Sequence, residues 1–248
     1  MSNKKSGVQQ ATSKYQPSAT SSRSTYVLAG AAVLVIAALV IGGIIWNGRR
    51  DKGGVDDAVL SSNAALIIGA PNAPQTIDVF EDFMCPYCKE FEQQSGEPMV
   101  KAIDAGKLRV RYHLLTFLNR SSASKDYSSR AAGAAQCVAE GEKREVFLKF
   151  HSALFANQPS EGGSTDHSNA DLANLAAQQG AGPATQKCIT DGAKVDAANK
   201  AAEESNNQLS KATGGQAGTP TVLSGGSPIN GIMDGPGWLD KLLAGSKN

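Results

Sequence analysis

Three histidines, four cysteines and a net charge of +1 are all that 248 residues offer for metal, redox or charge-driven chemistry. The near balance of 24 basic and 23 acidic residues leaves no electrostatic footprint for DNA or RNA, so nucleic-acid binding is not supported. A second CxxC is missing, as is any HxxxH unit. A tetrahedral zinc site would have to be gathered from Cys85, Cys88 and some of Cys137, Cys188, His113, His151 and His167, which is not a metal-ligand spacing. No internal repeat is present. Neither a cofactor nor a metal is expected.

What the chain does have is Phe83-Met84-Cys85-Pro86-Tyr87-Cys88-Lys89-Glu90-Phe91, two cysteines at CxxC spacing between a strand-like run and a helix-like one. The run over residues 76–83 is β-branched and aromatic, and Pro86 suits the first helical position because its φ is already helical. Cys85 then falls at the helix N-cap. There unpaired backbone N–H groups and the positive end of the helix dipole favour thiolate over thiol. Cys88 lies one turn further in, close enough to attack a mixed disulfide on Cys85. The pattern therefore reads as a redox pair. A buried structural disulfide is the plainer alternative, and the strand-to-helix context counts against it.

Residues 26–46 read YVLAGAAVLVIAALVIGGIIW, an uncharged run bounded by Arg23 and by Arg49, Arg50 and Lys52. As a helix this stretch rises about 31 Å, the thickness of a bilayer core, and Tyr26 and Trp46 sit where interfacial aromatics belong. Its length, and the absence of a small-residue cleavage site, identify an uncleaved anchor rather than a signal peptide. Flanking charge sets the orientation poorly: Lys14 and Arg23 precede the span and three basic residues follow it. The C-terminal part is placed outside the cytoplasm on the chemistry of its cysteines. Four cysteines fit two disulfides in an oxidising compartment, or equally one reactive pair and two buried thiols.

The remaining segments follow in order. Residues 1–25 form a polar tail too poor in apolar groups to order, and 47–74 read as a linker with a short strand near 65–68. The helix after the CxxC reaches Gly96 or continues past Pro98 to Ile103. Residues 108–115 alternate as a strand, which makes His113 an outward-facing residue. Helices are expected near 128–139, 143–156, from an Asn169 cap, around Cys188, and over 196–210. The aromatics Phe147, Phe150 and Phe155 are read as core. The end reads as a strand over 218–223, a turn, a second strand over 229–232 and a helix over 236–243 closed by Gly245.

This order of parts resembles the thioredoxin fold with the helical insertion of the DsbA family, in particular its membrane-anchored actinobacterial members. The resemblance covers roughly residues 75–248, with the insertion at about 119–213. It rests on the run from Phe80 to Glu92 around CPYC, the RYHLL strand and Gly218-Thr219-Pro220-Thr221. It implies that Pro220 is cis beside the active-site cysteines, with the Thr219 backbone free to pair with substrate as an added strand. It also implies a structural disulfide between Cys137 and Cys188, and an acidic residue that tunes the buried cysteine, for which Asp78, Glu81 and Asp82 are the candidates. The dipeptide Pro86-Tyr87 departs from the most oxidising members in lacking histidine, so a less acidic Cys85 and a weaker oxidant are expected. CPYC is also the glutaredoxin sequence, but glutaredoxins are shorter and lack both anchor and insertion.

The resulting expectation is an α/β protein: one transmembrane helix, then a DsbA-like thioredoxin domain that introduces disulfides into reduced exported proteins. A DsbB or VKOR-like membrane protein would reoxidise it. The alternatives are an isomerase or reductase on the same fold, or a non-catalytic peptide-binding module, which would have no need of an intact CxxC.

Overall fold

The computed structural model describes residues 54–245. The expected tail at 1–25 and anchor at 26–46 lie outside the described residues, among which no helix is long and apolar enough to cross a membrane. In chain order the elements are α1 (Asp57–Asn63), β1 (Leu66–Ile68), β2 (Gln75–Glu81), α2 (Pro86–Asp104), β3 (Leu108–Leu114), a 3-10 turn (Asn119–Ser121), α3 (Tyr127–Gly141), α4 (Arg144–Ala156), α5 (Asn169–Gln178), α6 (Pro183–Thr190), α7 (Val195–Ala212), β4 (Thr221–Ser224), β5 (Ser227–Pro228) and α8 (Gly237–Ala244).

The five strands lie in the order β1-β3-β2-β4-β5. β2 and β3 are parallel, joined through α2, with Val79 opposite Tyr112; the other neighbours are antiparallel. Strand alternation sends Ile77 and Val79 of β2, with Leu108, Val110, Tyr112 and Leu114 of β3, into the larger core. Phe80 belongs to a smaller core on the other face with Leu60 of α1, Leu209 of α7, Leu115 and Leu223. Both faces are therefore covered.

That second covering corrects two expectations. His113 does not face outward: it is fully buried, stacked on Phe80 with ring centroids 4.5 Å apart, and hydrogen-bonded to Asp78 (2.8 Å) and to Ser205 of α7 (3.0 Å). Arg111 makes a two-pronged pair with Asp78, both contacts at 2.7 Å, and reaches Asp57 of α1 at 2.8 Å. The alternation in β3 was real, but its polar side meets a matched polar cluster rather than water. For the same reason the described part of the expected 47–74 linker is not a mere tether: besides the short strand expected near 65–68 it holds a helix docked on α7. Asp56 caps α1 and its backbone N–H donates to the side-chain Oε1 of Gln208 of α7 (2.8 Å), Leu60 is buried, and β1 pairs with β3.

α2 continues through Pro98 to Asp104 because Met99, Ala102 and Ile103 bury beyond the proline, which outweighs its missing N–H. The cap of α5 is Ser168 rather than Asn169; it forms a reciprocal capping box with Asp171. The last strand is Ser227–Pro228, not 229–232. Gly225 and Gly226 take positive φ and close a tight hairpin, and Ile232 leaves it for the core.

The insertion packs α3 through its alanines, and at Gly133 a β-carbon would lie 3.0 Å from the Val195 backbone, so any larger residue would require α7 to shift by a few tenths of an ångström. Cys137 of α3 is bonded to Cys188 of α6 across a separation of 51 residues. Closing a loop of that length removes about 4 kcal/mol of unfolded-state entropy in the chain-entropy model. The Cys137→Ala/Cys188→Ala variant is expected to lose about 2–4 kcal/mol in a denaturant titration; an unchanged midpoint would show that helix packing alone sets the stability of the insertion.

Candidate active site

β2 ends at Glu81, and the next four residues turn the chain into α2. The Asp82 carboxylate accepts the N–H of Met84 (2.9 Å) and of Leu118 (3.1 Å), while its carbonyl accepts the N–H of Cys85 (2.9 Å). Pro86 opens the helix and Cys85 is its N-cap in an extended conformation, so the Cys85 carbonyl receives the N–H groups of Cys88 and Lys89. The Gln158 amide, just beyond α4, donates to the carbonyls of Phe83 (3.0 Å) and Cys85 (2.8 Å) and ties the insertion to this turn.

The two cysteines are free thiols with unequal surroundings: Cys85 keeps 5% of its surface and Cys88 none, while Tyr87 between them is 62% exposed. Thr219-Pro220 is a cis peptide, and the Cys85 thiol donates to the Thr219 carbonyl at 3.3 Å. A hydrogen bond from the Cys88 thiol, with help from Thr219 and the N–H groups of Cys88 and Tyr87, lowers the Cys85 thiol to about 6 against the opposing effect of burial. Burial above all, then the hydrogen bond and charge of Cys85 and the charge of Glu81, hold Cys88 well above the ordinary thiol range. The pair carries one thiolate, and it resides on Cys85.

Three acidic residues were candidates for the group that tunes the buried cysteine, and the structure separates them. Asp78 belongs to the opposite sheet face with Arg111 and His113. Asp82 holds the turn; burial raises it to about 6, and the Cys85 charge adds to that. Glu81 is the one whose charge is felt at Cys88. It is fully buried and hydrogen-bonded to Nε2 of His151 of α4, with burial pushing its carboxyl up. His151 and Gln158 were missed from sequence. The only signal for His151 is a histidine on the otherwise apolar face of Phe147, Phe150, Leu154 and Phe155. Among the described residues no group of three or more His, Cys, Asp or Glu is placed to hold a metal ion.

A folded-state thiol near 6 predicts that reduced protein shows thiolate ultraviolet absorbance that disappears around that pH. Because the folded value lies below the unfolded one, this thiolate stabilises the reduced fold at alkaline pH and the contribution is lost as pH falls through about 6. Cys85→Ala is expected to remove both the absorbance step and that part of the pH dependence; an absorbance step at the ordinary thiol range would contradict the assignment.

A thioredoxin family model matches residues 61–238. The serine/threonine-protein kinase PknE of Mycobacterium tuberculosis is 37% identical over 183 residues, which are 73% of this chain; the chain spans only 32% of that curated relative's length. Among solved structures, the thiol-disulfide oxidoreductase MdbA of Corynebacterium diphtheriae is 27% identical, with a TM-score of 0.64 over 76% of this chain and 91% of its own. The reduced disulfide bond oxidoreductase DsbG of Mycobacterium tuberculosis is 29% identical, with a TM-score of 0.59 over 80% of this chain and all of its own. The chain belongs to the thioredoxin family, and the helical insertion over its CxxC gives it the build of the DsbA-type thiol-disulfide oxidoreductases.

Proposed function

We propose that this protein is a membrane-anchored, extracytoplasmic thiol-disulfide oxidoreductase that donates a Cys85–Cys88 disulfide to reduced exported proteins. The observation that carries this reading is the inequality of the two sulfurs, an acidic Cys85 at the helix start and a sealed Cys88 one turn below it. A substrate thiolate attacks Cys85, the Cys85–Cys88 bond breaks and its electron pair goes to Cys88. A second substrate thiolate then attacks the substrate sulfur of the mixed disulfide and expels Cys85. The acidity of Cys85 makes it a good leaving group, which drives this second step toward substrate disulfide and enzyme dithiol.

Thr219, whose carbonyl lies 3.3 Å from the Cys85 sulfur, is the backbone against which an extended substrate would pair, with Pro220 keeping the neighbouring position free of a competing donor. Residues 26–46 would hold the domain at the bilayer, within reach of a DsbB or VKOR-like protein that restores the disulfide. The names of MdbA and DsbG support the chemistry of the site.

With reduced, unfolded substrate, Cys88→Ser is expected to accumulate a covalent adduct through Cys85 that a reductant releases. A non-catalytic binding module would leave no such adduct. In cells, the Cys85–Cys88 pair is expected to be mostly oxidised by alkylation trapping, whereas a mostly reduced pair would identify a reductase or isomerase.

A further inference from the structure

His151 occupies a box of aromatic rings, with Phe83, Tyr112, Phe147 and Phe155 at centroid distances of 5.6, 5.0, 5.8 and 5.2 Å. Both of its ring nitrogens nevertheless face carboxylates. Nε2 is hydrogen-bonded to Oε1 of Glu81, and Nδ1 lies 3.6 Å from Oε2 of Glu92 on α2. Glu81 is sealed in the core and its second oxygen, Oε2, has no partner. The Glu92 side chain is 13% exposed, accepts a hydrogen bond from the Ser152 hydroxyl, and opens on a surface groove of about 230 Å³ lined also by Lys89, Gln93 and Phe155. An imidazole thus bridges a carboxyl that water does not reach and one that it does.

Such a bridge answers a need that the proposed exchange creates. Breaking the Cys85–Cys88 bond places a thiolate on Cys88 in a site with no exposed surface. Burial holds Cys88 as the thiol, so a proton must come in with every turnover and leave again on reoxidation. We propose that His151 is the relay that carries this proton between Glu81 and the groove at Glu92. In the oxidising half-reaction the His151 imidazolium passes its proton through the Glu81 carboxylate to the Cys88 thiolate, and the neutral imidazole then recovers a proton from solvent at Glu92. One solvent proton is consumed for each Cys88 thiol formed, and the steps reverse on reoxidation. Glu81 and Glu92 together raise His151 to about 10 against the effect of burial, so it stands charged and ready to donate; Tyr112 is the remaining titratable group against the ring, and burial keeps it neutral.

The inference rests on the oxidoreductase reading and is tested apart from it. Reduction of the Cys85–Cys88 disulfide by dithiothreitol is followed by rapid mixing in water and in deuterium oxide across pH, using the full chain. His151→Gln, which keeps hydrogen-bonding groups but cannot carry the proton, is expected to slow the reaction about tenfold, to raise its solvent isotope effect and to shift its pH profile. The Cys85 thiolate titration, which a relay does not control, should stay within the wild-type range. Glu92→Gln should give a smaller change of the same kind; it sits at the groove, and its result decides the matter if His151→Gln does not fold. A wild-type rate, isotope effect and pH profile in folded variants would overturn the relay. If wild type itself exchanged no disulfide, the underlying functional reading would fall instead.

Discussion

One helix turn separates a sulfur that is stabilised as an anion from one that is not, and the active end of the molecule depends on that gradient. Unpaired N–H groups and the helix dipole act only within the first turn, so they reach Cys85 and leave Cys88 to the low dielectric of the core. Because the two sulfurs share a hydrogen bond, ionising the first raises the second further, and the pair titrates as a unit. The surroundings maintain the difference. Asp82 and Gln158 pin the turn that holds Cys85 at the cap, Thr219 flanks its sulfur, and Phe83 and Phe91 belong to the core that closes over Cys88.

Burying charged groups on both faces of a five-stranded sheet is costly unless each is matched, and here each face solves the problem differently. On the face covered by α1 and α7, Asp78, Arg111, His113 and Ser205 form a closed set in which every ionisable group has a partner. Such a set specifies how α1 and α7 dock, since a shift of either would strand a charge. On the other face the matching is incomplete. Glu81 has His151 on one oxygen and nothing on the other, and its charge is felt at Cys88. The incomplete network lies where the chemistry needs a movable proton, and the complete one lies where the fold needs rigidity.

The insertion contributes more than a lid. α4 supplies His151 and the chain just after it supplies Gln158, so the helical block reaches both the inner carboxylate and the outer turn of the site. Its position in turn is held by the Cys137–Cys188 bond and by the close approach of α3 and α7 at Gly133. Stability of a region remote in sequence from the CxxC therefore bears directly on the geometry around it.

Local pattern carried the elements and the reactive turn. β-branched alternation marked β2 and β3, Pro86 marked the start of α2 and hence the cap position of Cys85, and the apolar face of α4 was plain from its spacing, because these features depend on neighbours within a few residues. Pairings between distant segments were not legible. Residues 47–74 read as a linker carrying one short strand; that strand is present at Leu66–Ile68, but the seven-residue helix Asp57–Asn63 was missed because so short a helix has little signal of its own and is held by α7 and Arg111 of β3. His113 read as exposed because strand periodicity reports that a face is polar and not whether another layer covers it. The choice among Asp78, Glu81 and Asp82 likewise lay beyond the sequence. Carboxylates along one strand and just past its end look alike until the sheet is assembled, and only then does the side of the sheet on which each falls decide whether it meets a guanidinium, a backbone turn or an imidazole.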